Sequence, residues 1–165
     1  MSIGFKLREN QEIDPEKVKI EIDLSQSKKL VVSYIKDDII LVLHTKIRND
    51  NNCDVVCCAE LENGKKLGKE EGSQTVDVKT LSDPNSVHRQ VYWNNNPQID
   101  VYSHYSFGIE PIIIPSQKEI MGDLVFRICR LNSTSKLTFF NKEKSEMIFH
   151  EGIINISYLP TENRQ

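Results

Sequence analysis

The chain has 165 residues, of which 38% are hydrophobic and 27% charged, with a formal net charge of -3. A chain of that length buries roughly 70% of the surface its unfolded state exposes, so one domain holds a core without disulfides or a metal. The slight acidity excludes a global electrostatic pull toward phosphate backbones or anionic lipid and leaves such contacts to local patches.

Residues 1–16 read as a lead-in, residues 17–160 as a single β-sandwich domain and residues 161–165 as a polar tail. Lys6, Arg8 and Glu9 break the apolar core that a signal peptide would need. No apolar run is long enough to span a bilayer. The expected location is therefore cytoplasmic or nuclear, with the four cysteines (Cys53, Cys57, Cys58, Cys129) as thiols. The glycosylation patterns at Asn132 and Asn155 carry little weight without a secretory route.

Within the lead-in, Asp14-Pro15-Glu16-Lys17 is a helix-start signal, and a strand-like alternation follows at once. Val18, Ile20, Ile22 and Leu24 alternate with Lys19, Glu21 and Asp23, which sorts apolar and charged groups onto opposite strand faces. Similar runs recur at residues 30–35, 39–47, 53–61, 87–93, 98–107, 123–131 and 152–158. Lys36-Asp37-Asp38 and Arg48-Asn49-Asp50-Asn51-Asn52 read as turns. Residues 65–73, with Gly64, Gly68 and Gly72 among lysines and glutamates, read as a long exposed loop. Only residues 116–121, ended by Gly122, and residues 142–146 suit a short helical turn. About eight strands predict an all-β antiparallel sandwich, with an OB-fold-like barrel as the alternative.

Cys57 and Cys58 are adjacent on a strand and must point to opposite faces, and no partner pair completes a zinc site, so core packing is the expected role. His44 sits beside Lys46 on what reads as the exposed side of its strand. His44, His88, His104 and His150 have no serine–acid arrangement near them in sequence, and no glycine-rich phosphate loop leads into a helix. No catalytic, cofactor or metal residue is predicted. The aromatics Tyr92, Trp93, Tyr102, Tyr105 and Phe107 offer two readings: a stacking platform for single-stranded nucleic acid, or core anchors with a tyrosine rim. The second is preferred.

The order Trp93-Asn94, an alternating strand through Phe107, Pro115, the strand Leu124-Val125-Phe126-Arg127-Ile128 and Gly152-Ile153-Ile154-Asn155-Ile156 resembles the C-two domain. The likeness is to the variants in phosphoinositide 3-kinases and DOCK-type exchange factors, over about residues 39–159. It implies a calcium- and lipid-binding-type sandwich, yet residues 132–142 carry no carboxylate, and Asp50 and Asp54 alone cannot complete a calcium site. Residues 132–142 instead read as a loop holding Lys136, Phe139, Phe140 and Lys142, which with Tyr102 and Tyr105 are the predicted contact residues.

The expectation is a non-catalytic adaptor that binds a protein partner in a larger assembly, or weakly a membrane, without calcium. Two alternatives stand beside it. One is an OB-fold subunit of a single-stranded, telomere-type nucleic-acid complex, using the aromatics and the basic stretch Lys65-Lys66-Leu67-Gly68-Lys69. The other is a structural component of a virion or cytoskeletal array.

Overall fold

A computed structural model describes residues 12–33, 38–62, 64–66, 73–79, 87–93, 98–103, 112–128 and 134–162. The strands are β1 (Val18–Ser33), β2 (Asp38–Asn49), β3 (Val55–Leu61), β4 (Gly64–Lys66), β5 (Ser73–Lys79) and β6 (Val87–Trp93). They continue with β7 (Gln98–Ser103), β8 (Ile112–Ile114), β9 (Lys118–Ile128), β10 (Thr134–Asn141), β11 (Ile148–Asn155) and β12 (Thr161–Glu162). Two single 3-10 turns, Pro15–Lys17 and Ile156–Tyr158, are the only helical elements among the described residues. No helix among those residues is long and apolar enough to cross a membrane.

Two sheets form a sandwich, as the alternation predicts. The larger runs β12-β1-β2-β9-β7-β6-β5, with β4 also paired to β9. The smaller runs β11-β10-β3-β8. Every described pairing is antiparallel except the short β1–β12 contact. Each sheet ends in open edges among the described residues, which is a sandwich and not the alternative barrel.

One core cluster joins the sheets. Leu41, Leu43 and Ile47 of β2 and Leu124 and Phe126 of β9 meet Val55, Cys57, Leu61, Leu137 and Phe139 from the smaller sheet. On the opposite face of the larger sheet, Leu30, Ile40, Val42 and Val125 are buried as well. Burial on both faces explains why β2 reads as a continuous apolar run from Ile39 to Leu43.

β1 differs from the sequence expectation of two strands. It is one strand with a bulge, in which the register jumps from Asp23↔His44 to Lys28↔Val42. The Asp23 carboxylate organises the bulge by accepting from the Ser25 backbone N–H at 3.0 Å and from Gln26 Nε2 at 2.8 Å. Buried Ser27 then donates to the Asp23 carbonyl at 2.7 Å and accepts the His44 N–H at 2.9 Å.

The Asn-rich turn after β2 is more than a turn. Asn49 is fully buried and its amide donates to the carbonyls of Cys53 at 2.9 Å and Ile114 at 3.0 Å, tying β2 to β8. Asn51 exchanges bonds with Asp14 at 2.8 and 3.1 Å, which anchors the lead-in where Asp14 caps the first 3-10 turn. Ser116 Oγ donates to the Asn51 carbonyl at 2.7 Å.

Two further expectations are corrected. Residues 116–121 hold a tight turn at Ser116-Gln117, with Gln117 at φ 58°, and then β9. Gly122 lies inside β9 opposite Thr45 and ends no helix. The loop expected over residues 132–142 is largely β10, because residues 135–141 alternate inward and outward.

Candidate interaction surface

The outward face of the smaller sheet follows from strand periodicity. On β3, Val55, Cys57, Ala59 and Leu61 point inward, leaving Val56, Cys58 and Glu60 outside, with Glu62 continuing that face past the strand end. On β10, Ser135, Leu137, Phe139 and Asn141 point inward, leaving Lys136, Thr138 and Phe140 outside. β11 joins by pairing Thr138 with Glu151 and Phe140 with Ile148. A register shift between those pairs lets Phe149 pack on the core while Ile148 stays outside.

These registers assemble ordered rows across the sheet. Glu60, Thr138 and Glu151 form one row, and Cys58, Phe140 and Ile148 form the next. On the other side of the first row, the Glu62 N–H donates to the Lys136 carbonyl at 2.9 Å, and Lys136 faces Ile153. The surface thus has an acidic half and an apolar half. Exposed Ile148 and, on β8, Ile113 belong to the apolar part, whereas exposed Ile153 lies beyond the acidic row, beside Lys136. An open groove of about 460 Å³ lies over the rows, lined by Glu60, Glu62, Lys136, Thr138, Phe140 and Glu151 among others. Lys136 Nζ lies 3.7 Å from Glu151 Oε1, with both side chains about half exposed, so this pair contributes little to stability.

The predicted contact residues separate on this scaffold. Lys136 and Phe140 line the groove. Lys142 is exposed just beyond β10, and its N–H donates to the Val56 carbonyl at 2.9 Å. Phe139 is fully buried in the core, so the Phe139-Phe140 pair does not present two rings to one surface. Tyr102 lies on β7 opposite His88, but its side chain and Tyr105 fall outside the described residues. The same holds for the side chains of Tyr92, Trp93, Lys65 and Lys66 and for all of Phe107, Leu67, Gly68 and Lys69.

Sequence reasoning missed Glu60, Glu62, Thr138, Ile148 and Glu151. Glu60 was legible as an outward position, since it alternates with Ala59 and Leu61. Its alignment with Glu151 depends on β10 lying between them, which no local pattern reports.

A second polar cluster lies on the larger sheet. His44 shares a face with Lys46, as expected, but is buried and not exposed. Its Nδ1 donates to Asp123 Oδ1 at 2.8 Å. That bond raises the His44 pKa above its ordinary 6.5 against the lowering effect of burial, with the Asp123 and Asp23 charges assisting and Lys46 opposing. A small cleft of about 70 Å³ beside it is lined by Glu21, Asp23, Gln26, His44, Lys46 and Met121. The Ser27 hydroxyl is engaged by Asp23 and His44 main-chain groups, so it is not aimed as a nucleophile.

Cys57 is buried and Cys58 faces outward, as strand alternation requires, and Cys53 and Cys58 are free thiols. Asp50 is paired with Arg48 at 2.8 Å and Asp54 accepts the Ser116 N–H at 2.9 Å. Among the described residues, no group of three His, Cys, Asp or Glu side chains is gathered to hold a metal ion.

No family model matches the sequence, and no curated protein is significantly similar to it. Among solved structures, the chain is similar to a "putative lipoprotein" from Bacillus subtilis subsp. subtilis str. 168, with a TM-score of 0.46 and 10% identity. The similarity covers 89% of this chain, which spans 39% of that protein's length.

Proposed function

We propose that the chain is a non-catalytic, C-two-like interaction module that binds a protein partner through the outer face of β3, β10 and β11, without calcium. The observation that carries this reading is the polarised surface itself. Phe140 and Ile148 form an apolar strip directly beside the Glu60–Thr138–Glu151 row, and Ile153 is 66% exposed. An apolar strip with a charged rim is the composition of a protein-binding patch, in which burial supplies affinity and charges supply register. Free thiols at Cys53 and Cys58 suit a cytoplasmic or nuclear setting. The carboxylates of this face repel both phosphate and anionic lipid, which favours protein over nucleic acid or membrane here.

Co-purification of the tagged chain from its native cells, with and without nuclease, tests the reading. Nuclease-resistant partners lost on Phe140→Lys, but kept on the remote Lys19→Ala, are the expected result. A nuclease-sensitive capture that Phe140→Lys leaves intact would replace this reading with the nucleic-acid one.

A further inference from the structure

Given that this face is the contact surface, as proposed above, we infer that its occupant is an extended segment carrying a basic and an apolar residue two positions apart, in that order if it runs parallel to β10. Glu60, Glu62 and Glu151 bring three carboxylates to the groove, and Lys136 supplies one ammonium, held 3.7 Å from Glu151. Among the described side chains, this leaves Glu60 and Glu62 uncompensated on the β3 side of the groove, and like charges so placed on a sheet repel each other. A cation above Thr138 relieves that repulsion.

Geometry then sets the spacing. Glu60 and Glu151 flank Thr138 in one row, two inter-strand distances apart, or roughly 10 Å between their Cα atoms. A lysine or arginine head fits between them and reaches both. Phe140 and Ile148 occupy the adjacent row along the strands, roughly 7 Å away. An extended chain places its residues i and i+2 on one side at that same interval. A segment running along β10 therefore seats its cation over Thr138 and its next same-side residue over Phe140.

The competing occupants fit less well. A second copy of this face would bring six carboxylates against two ammonium groups. An acidic segment meets the same repulsion, and a purely apolar one leaves Glu60 and Glu62 desolvated without partners.

The test is selection of randomly displayed peptides on the purified full chain, followed by titration of the winners against variants. Sequences with a basic and an apolar residue two positions apart are expected. Their affinity should fall about tenfold in the near-isosteric double variant Glu60→Gln/Glu151→Gln, consistent with loss of charge-assisted contacts. It should rise in Lys136→Ala, because the competing ammonium is removed, and fall with added salt. A purely structural role for these residues would not give opposite signs at Glu60 and Lys136. Thermal melts of each variant confirm that it is folded.

Winners that depend on Phe140 but ignore the carboxylates would overturn the inferred occupant and leave the contact face standing. Winners indifferent to Phe140→Lys and to the carboxylate variant alike would overturn both. Concentration-dependent self-association abolished by Phe140→Lys would put a second copy in the groove and overturn the inferred segment.

Discussion

His44 and Asp123 stand directly opposite each other on β2 and β9, and their side chains meet at 2.8 Å though the residues lie 79 apart in sequence. Asp23 holds the corresponding position on β1, across from His44. The bulge that follows Asp23 brings Ser27 under the His44 N–H. A histidine and a carboxylate are thus held together between buried Val42 and Val125 on one side and the charged cleft of Glu21, Asp23 and Lys46 on the other.

The first prediction follows from that pair. The folded His44 pKa is raised above 6.5, so the folded chain holds its proton to higher pH than the unfolded chain does. The resulting stabilisation is complete below about pH 6.5 and is lost as pH rises through the raised folded value. Urea melts across this window should show stability declining with pH, and Asp123→Asn should flatten the slope. Removing the buried carboxylate outright, as Asp123→Ala, should cost about 3–5 kcal/mol near pH 6. A slope unchanged in Asp123→Asn would mean that another group governs it.

Asp23 acts at the acid end. Its pKa is lowered from 3.8, chiefly by the Ser25 hydroxyl, with Gln26 assisting. Its contribution is present above that value and disappears as pH falls through the lowered one. Asp23→Asn should remove this part of the acid sensitivity and only weaken the decline above pH 6.5 (the ordinary His44 value), because the Asp23 charge raises the His44 pKa less than Asp123 does. The two variants together separate the two ends of the pH profile.

Adjacent phenylalanines should respond oppositely. Phe139 is fully buried, so Phe139→Ala should cost about 3–5 kcal/mol of unfolding free energy in denaturant titrations. Phe140 points to the groove, and Phe140→Ala should cost only about 1 kcal/mol. Equal losses would contradict the alternation on β10.

Two buried polar residues should also part company. Asn49→Ala strands the carbonyls of Cys53 and Ile114 and should cost about 2–3 kcal/mol. Ser135 is buried at a core-facing position opposite Ile154, and its hydroxyl has no hydrogen-bond partner among the described residues. Ser135→Ala should therefore raise stability, by about 1 kcal/mol. Paired thermal melts of the two variants check both signs.

The site was only partly legible. Lys136 and Phe140 were singled out for their chemistry, and both line the groove. Thr134, Ser135 and Thr138 soften the apolar alternation of β10, so the segment reads as a loop in sequence. The acidic rim was missed for a different reason. Glu60 and Glu151 are ordinary outward charges on their own strands, and nothing local to either indicates that they flank the same threonine.

From sequence alone, the alternation of Val18–Asp23, Ile39–Ile47 and Val55–Leu61 established an all-β chain, because a period of two is a property of each strand by itself. The turn residues around Asn49–Asn52 established where strands end. The tertiary structure decided that β10 sits between β3 and β11, and that β2 sits between β1 and β9. Those neighbours created the groove and the His44–Asp123 pair. Cross-strand pairing is chosen by the combined burial of whole strand faces, a long-range energy that no single segment encodes.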